Sequence, residues 1–209
     1  MIVLLLIVTM VISKDISAQT KEDIFNTSSQ ITWLGLDFSN VKMLGTASQF
    51  GNAGEISNEQ FKGKFIPEWN QLFVNEPKKF DVASAVHRIQ VRMEMDVTSR
   101  VNQSLNNDFF TNKPEELNSL DPKKIEKLVD RYSFDNLEGI GLVFFVEGMN
   151  KPNGELTSWV TFVNMKTKQV LLTRKVAGKI GGIGFRNFWA KGFFTILKDM
   201  KSDFYSWKR

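Results

Sequence analysis

The chain has 209 residues, 42% of them hydrophobic, with 27 Lys and Arg against 23 Asp and Glu, one histidine and no cysteine. That inventory excludes disulfides, thiolate zinc, cysteine nucleophiles and any metal centre built from two or three histidines. The net charge of +4 is mild, and Lys and Arg are interleaved with Asp and Glu until the C-terminal region. It therefore describes a solvated surface and argues against a nucleic-acid partner.

Ile2 to Ile12 are almost continuously apolar, and Ser17-Ala18-Gln19 follows as a small-residue boundary. An apolar core of this length before small residues is the build of a secretory signal, too short to span a membrane. No Lys or Arg precedes it. The expectation is a signal peptide over 1–18, one domain over 19–209, and an exported protein, periplasmic or extracellular. Without cysteine it is not a lipoprotein.

Beyond a polar leader (19–29), Gln30 to Phe38 reads as a first strand, and Val41 to Leu44 continues it past Ser39-Asn40. A Gly, Ser and Asn loop runs from Gly45 to Gly54. Ser57 and Gln60 form a capping-box signature for a helix with the stripe Phe61, Phe65, Trp69, Leu72 and Phe73. Pro67 inside that stripe predicts a kink or break near Ile66. Gln90 to Thr98 alternates Val91, Met93, Met95 and Val97 with Arg92, Glu94 and Asp96, the pattern of a strand with one wet face. Asp121-Pro122 supplies an N-cap and first-turn proline for a short helix with Ile125, Leu128, Val129 and Tyr132.

Gly139–Val146, Ser158–Met165 and Gln169–Val176 are β-rich, separated by Pro152-Asn153-Gly154 and Lys166-Thr167-Lys168. They read as an antiparallel three-stranded meander. A glycine-rich stretch, Gly178 to Gly184, then opens a last helix over Phe185–Met200 with Phe185, Trp189, Phe193, Ile196 and Met200 as its buried stripe. The fold class expected is α+β: a single mixed sheet ending in that meander, covered by amphipathic helices.

The candidate chemistry is sparse. Gly178-Lys179-Ile180-Gly181-Gly182-Ile183-Gly184 sits where a strand feeds a helix, but it matches neither phosphate-binding fingerprint. A tight connection explains it, and an anion site at Lys179 and Arg186 is the functional alternative. His87, with Ser84 three residues before it, shares a helix face only if that segment is helical, and an ordinary packing histidine explains it. Asp37, Glu94, Asp96, Glu138 and Glu147 lie on or near strands, where two could act as acid and base on a glycan. No cofactor or metal is implied. In the last helix Phe194 falls among Asn187, Lys191 and Lys198, opposite the buried stripe. Lys191, Phe194 and Lys198 are therefore the expected surface for a protein partner or for peripheral contact with an anionic membrane.

The strand Trp33-Leu34-Gly35-Leu36-Asp37-Phe38, the hairpin end Leu171-Leu172-Thr173-Arg174 and the run from Gly181 to Ala190 resemble small exported proteins of Bacteroidota-type bacteria, to which no catalytic residues attach. In element order the chain is also similar to α/β domains of envelope assembly factors, such as the curli-secretion lipoprotein and the TolB N-terminal domain. These resemblances imply an envelope or periplasmic protein of non-enzymatic binding or assembly type. The rival expectation is a hydrolase acting on an envelope glycan through paired carboxylates.

Overall fold

The computed structural model describes residues 19–45 and 56–209. The apolar run 2–12, the Ala18 boundary and the loop from 46 to 54 lie outside the described residues.

The class is α+β, with helices around a seven-stranded mixed sheet. β1 (Ile31–Asp37) is buried along its whole length. It runs parallel to β3 (Arg92–Met93) on one side and to β5 (Ile140–Asn150) on the other. β2 (Lys42–Leu44) resumes beyond the turn and lies parallel to the far end of β5 and to β4 (Phe110–Thr111). On its other side β5 pairs antiparallel with β6 (Glu155–Asn164), and β6 pairs antiparallel with β7 (Val170–Lys179).

One face of the sheet carries Trp33, Phe144, Val160 and Phe162 against α1 (Lys21–Phe25), α3 (Ile66–Asn75), α4 (Val82–Ala85) and α7 (Phe185–Asp203). The other carries Leu34, Val143, Phe145 and Val163 against α5 (Asp96–Gln103) and α6 (Pro122–Asp130). α6 starts as its sequence dictates, with the Lys124 amide donating to the Asp121 carboxylate at 3.0 Å. α7 lies flush on the sheet because a Cβ at Gly178 would collide with the Gly192 carbonyl.

Several expectations are refined or corrected. The polar leader carries a short helix, because Thr20 and Asp23 form a capping box for α1, which buries Ile24 and Phe25. The distortion expected near Ile66 is present as a π turn rather than a break. α2 (Asn58–Gln60), capped by Ser57 and Gln60, runs into a π-helical turn at Phe61–Phe65 and on into α3. Proline lacks the N–H that an α-helix needs, and the turn adds a residue, so the Ile66 amide reaches the Phe61 carbonyl five residues back. The alternating segment 90–98 is a strand only at Arg92–Met93 and turns helical from Asp96. Its valines and Thr98 also fit a helix, since Val97 and Val101, and Thr98 and Asn102, lie four apart and face inward. Finally, β5, β6 and β7 run longer than their apolar runs, out to Asn150, Glu155 and Lys179, because the sheet encloses polar positions such as Glu147 and Ser158.

Candidate functional site

The outer edge of β1 is closed by side chains. β3 covers only Thr32 and Trp33. Beyond it Thr98 Oγ1 donates to the Leu34 carbonyl at 2.6 Å, and the Leu36 amide donates to Asn70 Oδ1 at 2.8 Å. Asn102 Nδ2 donates to the Leu36 carbonyl at 2.8 Å while its Oδ1 accepts from the Phe38 amide at 2.9 Å. Gly35 makes this approach feasible: at φ 102° any Cβ would stand 2.5 Å from Thr98 Oγ1 and 2.8 Å from Asn70 Oδ1. Over this edge, between α3 and α5, lies a cleft of about 450 Å³ lined by Gly63, Pro67, Gln71, Asp96 and Gln103 among others. Lys62, also in its wall, donates its ammonium to the Leu105 carbonyl. The cleft offers hydrogen bonds and apolar contact, with Asp96 as its single carboxylate.

The strand carboxylates are engaged elsewhere. Asp37 is 1% exposed and accepts from the Tyr132 hydroxyl at 2.6 Å and the Ser39 amide at 2.7 Å. Burial raises its pKa above the ordinary carboxylate value, against the hydrogen bonds from Ser39 and Tyr132. Burial also pushes the Tyr132 hydroxyl well above its usual range, and the charge of Asp37 adds to that. Glu147, fully buried, accepts from the Leu120 amide at 2.6 Å and Trp159 Nε1 at 3.2 Å, and pairs with Lys175 at 2.7 Å. Glu94 pairs with Arg92 and Glu138 with Lys166. Neither buried acid reaches the surface, where a polymer substrate would have to meet it.

His87 has its Nε2 2.8 Å from the Lys201 carbonyl, so that nitrogen carries the proton, and its ring stacks on Phe204. α4 ends at Ala85 and His87 takes a positive φ of 51°, which removes the shared helix face expected with Ser84. Ser84 Oγ instead accepts from Lys201 Nζ at 3.5 Å.

The C-terminal candidates are separated into two groups. Lys191 and Lys198 are exposed on α7. Phe194 is not outward-facing as expected: it is half-buried and packs against the core. α7 packs on α4 as well as on the sheet, so its buried arc takes in Ala190 and Leu197 and reaches Phe194 on that flank. Lys179, at the end of β7, is exposed, and its carbonyl accepts from Thr195 Oγ1 at 3.1 Å. Arg186 is drawn to Glu68 at 3.7 Å and Glu76 at 3.6 Å, so an anion shared with Lys179 would compete with two carboxylates. The turn itself closes on backbone bonds, the Gly181 amide to the Phe188 carbonyl and the Phe188 amide to the Gly184 carbonyl.

Charge is sorted along the chain. Leu156 to Lys198 contains eight of the 27 Lys and Arg and none of the 23 Asp and Glu, so the +4 balances +8 here against −4 elsewhere. Lys166, Lys175 and Arg186 find acids supplied by other segments. Lys168, Arg174, Lys179, Lys191 and Lys198 have no ion-pair partner among the described residues, and Lys168 donates to the Asp130 carbonyl at 3.0 Å. Thr195, between Lys191 and Lys198 on one helix face, donates to the Lys179 carbonyl and so brings that face to the end of β7, where the Lys179 side chain alternates away from Gly178, the residue that meets α7.

Compared with known protein families, curated proteins and solved structures, the chain matches none.

Proposed function

We propose that this chain is an exported, non-enzymatic binding protein of the cell envelope that holds a partner protein through the basic side formed by β7 and α7. The observation that carries this reading is the acid-free stretch from Leu156 to Lys198 with five of its eight cations left without ion-pair partners among the described residues. A charged face kept free of compensating acids steers and orients an oppositely charged partner. The β5–β6–β7 strands present β7 on that side, Lys191 and Lys198 stay in the surface of α7, and Lys179 stands exposed at the end of β7. The export part rests on the run Ile2–Ile12 with its Ser17-Ala18-Gln19 boundary and on the resemblance to small exported proteins.

The test is retention of partners from envelope extract by immobilised protein, wild type against Lys179→Glu, Lys191→Glu, Lys198→Glu. A partner lost from the triple variant and released by salt is the expected result. Identical profiles overturn the reading. Mass spectrometry of the native protein should find a terminus at or near Gln19, and an intact Met1 terminus in a cytoplasmic fraction overturns the export part.

A further inference from the structure

β7 is a sheet edge. It pairs with β6 along one side, and no other described strand pairs with it. From Leu172 to Lys179 the register to β6 is unbroken, the only irregularity being the shift near Leu171. Ten residues of extended backbone span about 34 Å and leave a row of outward N–H and C=O groups of the kind that accepts another strand.

We infer that this edge takes up an extended, acidic segment of a partner protein as an added strand; the inference rests on the partner-binding reading and names the form the partner takes. The charge decides the occupant. β7 holds Arg174, Lys175 and Lys179 and no acid. Glu147 neutralises Lys175 from beneath, whereas no described Asp or Glu pairs with Arg174 or Lys179, and Arg174 donates to the Arg209 main-chain oxygen at 3.5 Å. Lys191 and Lys198 flank the strand from α7, whose own acids are Asp199 and Asp203. A second copy of the chain fits poorly, because pairing β7 with β7 sets cation against cation, and directly opposed like charges destabilise a strand pair. An acidic strand instead gains main-chain hydrogen bonds for affinity and alternate side-chain contacts for selectivity. Lysines on an edge also serve to keep strands away, and that function predicts the opposite result in the following experiment.

The probe is a labelled peptide of about ten residues alternating Glu with Val and Thr, offered to the full chain. Two control peptides accompany it, one with Lys in place of Glu and one N-methylated at alternate residues so that it cannot bond to the edge. The acidic peptide should bind, weaken as salt screens the charges, and lose about tenfold or more in affinity on N-methylation. Amide hydrogen exchange within 170–179 should slow on binding, and Arg174→Glu with Lys179→Glu should abolish both effects. Binding that N-methylation leaves intact, without slowed exchange in 170–179, overturns strand addition while leaving the basic-surface reading standing. Absence of binding at about 1 mM peptide overturns the inference, and the partner-retention experiment reads the wider proposal separately. A dimer of the free chain with 170–179 already protected puts a second copy on the edge and overturns it too.

Discussion

At the β1 edge Thr98, Asn70 and Asn102 stand in for a neighbouring strand and occupy backbone groups from Leu34 to Phe38. At the β7 edge no described strand pairs outward, the one side-chain bond to its backbone among the described residues is Thr195 Oγ1 to the Lys179 carbonyl at the strand's end, and Arg174 and Lys179 stand in the surface. The difference teaches how a sheet edge is made structural or left available. Amides and a hydroxyl donated by flanking helices satisfy the backbone internally and bury it, whereas cations keep an edge wet and selective. The α3–α5 cleft lies over an edge that is already satisfied, so it is a poor place for a strand to add.

The comparison breaks most sharply at Gly35. Gly35→Ala introduces a Cβ into Thr98 and Asn70 at a positive φ, and should cost about 3–5 kcal/mol, near the top of the range for single substitutions. A loss below about 0.5 kcal/mol in chemical denaturation would show that the side-chain closure yields easily. Next comes Asn102→Ala, which strips both the Leu36 carbonyl and the Phe38 amide of a partner. Its expected cost is about 1–3 kcal/mol, the penalty for leaving the buried Phe38 amide unsatisfied, since the Leu36 carbonyl keeps Asn70 Nδ2 at 3.3 Å.

Acidity sharpens the contrast further. Asp37 has a folded pKa above its unfolded 3.8, so the folded state holds that proton more tightly. Stability therefore falls as pH rises from about 3.8 through the raised folded value, and levels off above it. Asp37→Asn should flatten that segment of the stability curve, and an unchanged slope would assign it to other groups. Tyr132, raised above 10.0, carries the same sign at the alkaline end: stability drops as pH passes 10 because the unfolded chain ionises first. The smallest effect belongs to the open edge. Lys179→Glu, Lys191→Glu and Lys198→Glu together touch no buried group and should each shift stability by about 0.5 kcal/mol or less, with salt dependence as the larger change. A drop of several kcal/mol on melting the triple variant would show these lysines to be structural.

Local rules carried much of the architecture. The capping box at Ser57 and Gln60, Asp121 before Pro122, and the stripe of Trp189, Phe193, Ile196 and Met200 each involve neighbours within a few residues, so helix starts and buried faces were legible from spacing alone. The three β-rich segments after Gly139 were legible for the same reason, although their ends were not. Misreadings arose where two periods fit one segment. Val91 to Val97 alternates, yet Val97/Val101 and Thr98/Asn102 also fit a helix, and packing against β1 selected the helix. At Pro67 the local rule gives a kink or break near Ile66, and the fold realises it as a π turn that keeps Phe61, Phe65 and Trp69 in the same core.

What the sequence alone determined is the apolar run Ile2 to Ile12, the lack of thiol and multi-histidine chemistry, and the charge sorting that leaves Leu156 to Lys198 without an acid. Tertiary structure alone decided which charges stay free. Asp37 and Glu147 are buried and held by Tyr132 and Lys175, Arg186 is bridged to Glu68 and Glu76, and Phe194 turns inward. Each of those outcomes depends on a partner tens of residues away, or on a helix flank that no local period encodes. A side chain's charge is written in the sequence, but whether it remains available depends on what the fold sets beside it.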